Sequence, residues 1–159
     1  MANTQCQVGE SPIWIPSEHA IYWVDILGKA IYAYNIDLKK IRKYGLPEIT
    51  GFIVPRKRGG FVLGMKSKLM AAKLCENGRV ELEQLDEVDI GLPQNRFNDA
   101  CCDLDGNLWA VTMDMKRTAS TAKVYRYDRN FNRTTMAENF IIANGPIPDL
   151  ARKTFYCIE

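Results

Sequence analysis

Three polar residues with side-chain oxygens precede an aromatic residue by nearly the same interval in three separate parts of the chain. The intervals are 12, 11 and 11 residues, for Glu10 before Tyr22, Asn98 before Trp109 and Asn144 before Phe155. One carboxylate and two amides from distant segments are donors that a hard divalent cation such as Ca²⁺ prefers, with water at the remaining positions. Arg96, two residues before Asn98, lies on the same side of an extended strand.

Each asparagine taken alone has a simpler interpretation. Asparagine side chains in turns and bulges often bond their own backbone, and this describes Asn98 and Asn144 equally well. The interval that they share with Glu10 favours the metal interpretation. The donor types do not favour zinc, because the only histidine, His19, lies in a polar turn. Ca²⁺ is therefore the expected cation, with Zn²⁺, Mg²⁺ or Mn²⁺ as alternatives.

The segments around these residues have the composition of short β-strands. Runs of four to eight residues rich in β-branched and aromatic side chains alternate with turn signals, and no segment has a helical period. The expected strands cover residues 9–15, 20–26, 30–35, 41–46, 51–55, 60–66, 69–74, 79–88, 97–102, 108–114, 123–128, 133–140 and 153–159. The Asp-x-Asp-Gly-Asn segment at residues 103–107 predicts a hairpin turn.

These strands repeat in groups of four. The second strand of each group begins near Ala20, Gly60, Asn107 and Lys153, which gives spacings of 40, 47 and 46 residues. Four strands in each period of roughly 40–50 residues are typical of β-propeller blades. The first strand of each blade lines the central channel, so Glu10, Asn98 and Asn144 would converge there. Thr50 would hold this place in the second blade, since it precedes Val62 by 12 residues.

Composition excludes several classes of partner. The chain of 159 residues is 47% hydrophobic and 25% charged, with a net charge of +2, which is too small to indicate binding to nucleic acid. No apolar run approaches the ~20 residues that cross a bilayer, so no membrane association is expected. The polar residues 1–9 do not resemble a signal peptide. Five cysteines, an odd number without a C-x-x-C motif, indicate a reducing cytoplasm.

Several short motifs resemble those of the gluconolactonase/regucalcin (senescence marker protein) family. They are Gly9-Glu10-Ser11-Pro12, Arg96-Phe97-Asn98-Asp99, Gly106-Asn107-Leu108-Trp109, Thr112-Met113 and Asn144-Gly145-Pro146. The resemblance covers residues 10–159 and implies a six-bladed propeller that binds one divalent cation on its axis. It implies hydrolysis of a sugar lactone, a small-molecule substrate. It also implies that Glu10 and Asn144 are metal ligands and that Arg96 and Asn98 hold substrate oxygens.

The chain also departs from the pattern of that family. Family chains are longer, and a third metal ligand, an aspartate implicated as the catalytic base, lies in their second half. A further family carboxylate would fall at Lys116, and Asp114 occupies an unmatched position. No general base is therefore identified. Residues 1–159 are expected to form a single partial propeller of about three and a half blades, without a linker or second domain. The alternative to a lactonase is a non-catalytic calcium-binding or protein-interaction propeller.

Three and a half blades cannot close into a ring, so two apolar blade faces and a sheet edge would be exposed. We expect self-association that covers these faces, in its most specific form as a dimer of two arcs. An unstable fragment is the alternative. Native mass spectrometry should show the dimer, and a stable monomer would contradict this expectation.

Overall fold

The structure, a computed structural model, describes residues 4–149, 151–152 and 154–159. These residues form a 3₁₀ helix, Pro16–Glu18, and fourteen strands. The strands are β1 (Gly9–Ile15), β2 (Ala20–Asp25), β3 (Ala30–Asn35), β4 (Lys40–Gly45), β5 (Thr50–Pro55), β6 (Phe61–Met65), β7 (Lys68–Leu74), β8 (Val80–Glu87), β9 (Asn95–Cys102), β10 (Leu108–Asp114), β11 (Ala122–Tyr127), β12 (Arg133–Phe140), β13 (Asn144–Asp149) and β14 (Thr154–Ile158).

The thirteen predicted strands agree with observed ones to within two residues at each end, whereas β13 had no predicted range. Lys153, at which the last strand was expected to begin, lies outside the described residues, as do Leu150 and residues 1–3. Within the described ranges, no helix has the length and apolar character needed to span a bilayer.

The strands form four antiparallel sheets in which neighbours in sequence are neighbours in space. We call the sheets the first blade (β1–β4), second blade (β5–β8), third blade (β9–β12) and fourth blade (β13–β14). This arrangement confirms the expected all-β propeller of about three and a half blades.

The hairpin between β9 and β10 shows how polar residues set the turns. Asp103 accepts hydrogen bonds from the backbone N–H of Asn107 at 2.8 Å and from Trp109 Nε1 at 2.9 Å. Gly106, with a φ of 77°, takes the left-handed conformation that glycine adopts without strain. The Asp-Gly-Asn segment therefore forms the turn that its composition predicts.

Apolar side chains fill three layers between successive blades. Tyr22 and Val24 of the first blade meet Phe61 and Leu63 of the second, and the Tyr22 and Phe61 ring centroids are 5.0 Å apart. The layer between the second and third blades contains Phe52, Val62, Phe97, Ala110 and Tyr127. The layer between the third and fourth blades is the smallest, with Val111, Val124 and Ala143 as its buried members.

The first strands of the blades, β1, β5, β9 and β13, pack in series and are called the axial strands here. Ser11 joins the first two of them, because its Oγ accepts the N–H of Ile53 at 3.1 Å. Gly51 allows the next contact. A Cβ at Gly51 would lie 2.3 Å from the backbone oxygen of Phe97 and 2.9 Å from that of Asn98. The absence of a side chain therefore lets β5 approach β9.

Replacement of Gly51 by alanine should destabilise the fold. The added methyl group would meet backbone rather than a flexible side chain, and overpacking of this kind costs roughly 1–3 kcal/mol. The measurement is the free energy of unfolding from urea titration. Gly45→Ala is the matched control, because a Cβ at Gly45 would meet nothing within 4 Å. Equal stability of the two variants would contradict the tight packing of β5 against β9.

Candidate functional site

Glu10, Asn98 and Asn144 lie at or beside a break in the pairing register of three axial strands. Glu10 pairs with Val24 and Asn144 with Ile158, whereas Asn98 is the unpaired residue between Phe97 and Asp99. Each lies three residues before the residue that pairs with an aromatic of the second strand. The pairs are Ile13 with Tyr22, Cys101 with Trp109 and Ile147 with Tyr156. The spacing shared by the three polar residues is thus a property of the sheets. In the fourth blade, however, Tyr156 and not Phe155 is the residue equivalent to Tyr22.

A β-bulge accompanies the shared position in each of these strands. The pairing register shifts between Glu10 and Ile13, at Asn98, and between Asn144 and Ile147. Ser11 and Gly145, which follow the first and last of the three polar residues, have positive φ values of 53° and 52°. Bulges redirect the side chains of the strand that carries them. The repeat therefore redirects one polar side chain in each of three blades.

The second blade lacks a polar side chain at this position. Val54 pairs with Val62, so the residue three positions earlier is Gly51 and not Thr50. Thr50 is fully buried, and its hydroxyl donates to the backbone oxygen of Glu48 at 3.3 Å. The expectation for Thr50 was wrong by one residue, because the paired positions Val54 and Val62 enclose one residue fewer than the paired positions Ile13 and Tyr22 of the first blade.

Hydrogen bonds connect the third and fourth blades beside the candidate site. Asn98 Nδ2 donates to the backbone oxygen of Ala143 at 3.0 Å, and Asp99 accepts the N–H of Gly145 at 3.0 Å. Asn144 Oδ1 also accepts the N–H of Gly145, at 3.2 Å. Both asparagines therefore make the backbone contacts of the simpler interpretation. An amide oxygen has two lone pairs, so these contacts still leave acceptor capacity on Asn98 and Asn144.

Arg96 lies at the start of β9, half-buried, with its Nη1 donating to the backbone oxygen of Phe97 at 2.7 Å. Burial lowers the pKa of the Arg96 guanidinium from its ordinary value. The positive charge of Arg117 lowers this pKa further, whereas the carboxylate of Glu10 acts in the opposite direction. The guanidinium keeps its charge at neutral pH. Glu10 and Arg96, from the first and third blades, are therefore close enough to interact electrostatically.

Asp114 organises the turn that carries Arg117. Its carboxylate accepts the N–H groups of Thr118 at 2.9 Å, Ala119 at 3.0 Å and Lys116 at 3.1 Å. These hydrogen bonds hold the pKa of Asp114 below its usual range. Asp114 therefore has a structural role in this turn.

The donors at this position suit a hard cation in type but are few. Glu10, which is exposed, supplies a carboxylate, and Asn144 supplies an amide oxygen. Among the residues that the structure describes, no three histidine, cysteine, aspartate or glutamate side chains come together. His19 lies in a turn, with its Nδ1 2.8 Å from Asp37 Oδ2. It is not part of the candidate site.

Two features of the site could not be predicted from the sequence. Arg117 follows no motif, and only the turn closed by Asp114 brings it near Arg96. Asp99 belongs to a quoted motif, but its bond to Gly145 depends on how the third and fourth blades pack. An aspartate, Asp114, with a threonine four residues later was the one sequence signal for that turn.

Comparison with known proteins assigns the chain to a family. Residues 8–159 match the region described as SMP-30/Gluconolactonase/LRE-like. The chain belongs to this family. Membership in this family agrees with the repeated four-stranded blades.

Curated members of the SMP-30/gluconolactonase family show the same relationship. The chain is 30% identical to the 6-deoxy-6-sulfogluconolactonase of Pseudomonas putida over 87% of its own length and 46% of that protein. It is 26% identical to regucalcin of Danio rerio over 96% of its length and 51% of that protein. The chain thus spans about half the length of the curated relatives it matches.

Solved structures agree with the fold. A luciferin-regenerating enzyme superposes with a TM-score of 0.81 at 26% identity, over 87% of this chain and 48% of that one. The calcium-binding protein regucalcin from Agrobacterium tumefaciens superposes with a TM-score of 0.84 at 21% identity, over 98% of this chain and 51% of that one. The similarity to the Agrobacterium tumefaciens structure, at 21% identity, supports the fold alone.

The hydrogen bonds of Asp114 should make stability depend on pH. Because the folded-state pKa is lowered, the stabilisation is present at neutral pH and is lost as pH falls through the folded-state value. The difference in unfolding free energy between wild type and Asp114→Asn should therefore shrink between pH 7 and about pH 3. Asp105→Asn, in an exposed turn, is the control. A difference that stays constant over this range would contradict the assignment.

Proposed function

We propose that this chain takes part in metal-dependent hydrolysis of a sugar lactone, with Ca²⁺ as the expected cation. The observation that supports the proposal is the repeated bulge. It presents Glu10, Asn98 and Asn144 at one position of three axial strands, with Arg96 beside them, in a family that includes lactonases. Sugar lactones as a substrate class come from relatives such as 6-deoxy-6-sulfogluconolactonase.

The reaction adds water to the ring ester. The water oxygen bonds to the carbonyl carbon and the bond from that carbon to the ring oxygen breaks. The ring oxygen takes up a proton, and the product is a sugar acid. Negative charge develops on the carbonyl oxygen in the transition state, and hydrogen-bond donors already in place stabilise it. Arg96 and Asn98 would supply such donors and would orient substrate hydroxyl groups.

Glu10 and Asn144 would hold the cation, since a carboxylate and an amide oxygen are hard donors. A bound divalent cation polarises a carbonyl group and lowers the pKa of water. Two protein donors leave most coordination positions to water, substrate or residues outside this half of the propeller.

Three carboxylates of the axial strands and the adjacent turn, Glu10, Asp99 and Asp114, are poorly suited to act as the general base. Asp99 is bonded to the N–H groups of Ala100 and Gly145, and Asp114 is bonded to its own turn. Glu10 would be committed to the cation. Full activity therefore requires a base other than these three carboxylates, and we expect hydrolysis by this chain to be impaired.

The proposal includes self-association and a cytoplasmic location. Apolar side chains are exposed on the outward faces of the first and fourth blades, among them Trp14, Ile147 and Tyr156. A second copy packed there would remove this surface from water. The five cysteines form no disulfide, as suits a reducing compartment.

Replacement of Glu10 by glutamine should impair both cation binding and turnover. Loss of the one carboxylate should weaken Ca²⁺ affinity by roughly tenfold or more, because hard cations bind amides less strongly than carboxylates. Calorimetry measures the Ca²⁺ affinity, and a pH-indicator assay with D-glucono-δ-lactone, with and without EDTA, measures turnover. Glu83→Gln, on the exposed edge strand β8, is the matched control.

Metal-dependent turnover that falls in Glu10→Gln but not in Glu83→Gln would support the hydrolase. Ca²⁺ binding that depends on Glu10 without any turnover would favour the non-catalytic calcium-binding propeller. Unchanged Ca²⁺ affinity in Glu10→Gln would contradict the metal assignment.

A further inference from the structure

The turn between β10 and β11 brings additional positive charge to the entrance of the candidate site. Arg96 pairs with Met113 across β9 and β10, and the backbone N–H of Met115 donates to the oxygen of Gln94 at 2.8 Å. The chain then turns at residues 115–118, so Arg117 lies near the start of β9. Strand pairing thus places Arg96 and Arg117 at the same end of the third blade.

The position of Arg117 is fixed by its backbone. Arg117 has a φ of 58°, which is uncommon for a residue with a side chain. Its N–H donates to the oxygen of Asp114 at 3.0 Å, and the Asp114 carboxylate bonds the residues on both sides of it. These two further hydrogen bonds hold the residues on either side of Arg117 in place, while its side chain stays exposed.

The two guanidinium groups lack carboxylate partners. Among the ion pairs of the described residues, none includes Arg96 or Arg117. Glu10 is the carboxylate whose charge acts on Arg96, and Arg117 is the cation that acts on it. If Glu10 binds a divalent cation, its charge no longer balances the two arginines. A negatively charged ligand would restore the balance.

We propose that Arg117 binds an anionic substituent of the substrate, at the end of the third blade where Arg96 also lies, so that the preferred lactones carry a carboxylate, phosphate or sulfonate group. This inference rests on the proposed lactonase function and names the substrate class of the same site. Arg96, half-buried on β9, would keep the role at the reacting ester proposed above, whereas the exposed Arg117 would contact the more distant substituent. Guanidinium groups suit this role because their paired donors match the oxygens of such anions.

Equilibrium binding tests the proposal without requiring turnover. Titration calorimetry compares D-gluconate with D-glucarate and 6-phospho-D-gluconate, which carry one additional anionic group. The additional group should tighten binding by about tenfold at low salt, as a charge-assisted hydrogen bond does, and high salt should reduce the gain. Arg117→Gln should abolish the gain. Arg129→Gln should keep it, because Arg129 binds the oxygen of Asp105 at the opposite end of the third blade.

Hydrolysis of the corresponding lactones separates this inference from the function on which it rests. A gain in binding that Arg117→Gln removes, without turnover of any lactone, would support the anion site and contradict the hydrolase. Turnover of neutral and anionic lactones at equal kcat/KM, with no difference in binding, would overturn the anion site and support the hydrolase. A gain limited to glucarate or to the phosphorylated acid would support the site and identify the anion.

Discussion

The close approach of the axial strands is the constraint on which the candidate site depends. Gly51 has no side chain, so β5 can lie directly against the backbone of β9. Asn98 and Asp99 then bond the start of β13. Without these contacts, Glu10 and Asn144 would belong to independent sheets. The repeated bulges would then have no common space into which to direct their side chains.

Residues of the candidate site also make contacts that hold the blades and turns in place. Asn98 links two blades through its amide nitrogen, and its amide oxygen retains acceptor capacity. Asp114 closes a turn, and that turn determines where the charge of Arg117 lies. The backbone contacts of the two asparagines are therefore compatible with the proposed function. Asn98 makes its contact through the amide nitrogen, and the oxygen of Asn144, which accepts one N–H group, has a second lone pair.

Much of the fold could be predicted from the sequence because its signals are local. Alternating apolar residues and turn motifs such as Asp-Gly-Asn are contained within one hairpin. The spacing of the repeats predicted how the strands divide into blades. The position of Glu10, Asn98 and Asn144 followed from the same spacing. The prediction for Thr50 was wrong by one residue. Bulges and hairpin lengths differ between blades, so equivalent positions follow from strand pairing and not from counting residues along the sequence. The proximity of Arg117 to Arg96 depends on a turn held by one side chain, which no periodicity reveals.

The layer between the third and fourth blades is the smallest of the three, with Val111, Val124 and Ala143 as its buried members. In repeat architectures, stability is approximately a sum of interactions between neighbours, so this junction should be the first to open. Asn144 would then separate from Glu10 as β13 leaves the arc. A ligand that binds both Glu10 and Asn144 would hold the fourth blade in the arc. It would raise the melting temperature of this junction, because it binds only the folded state.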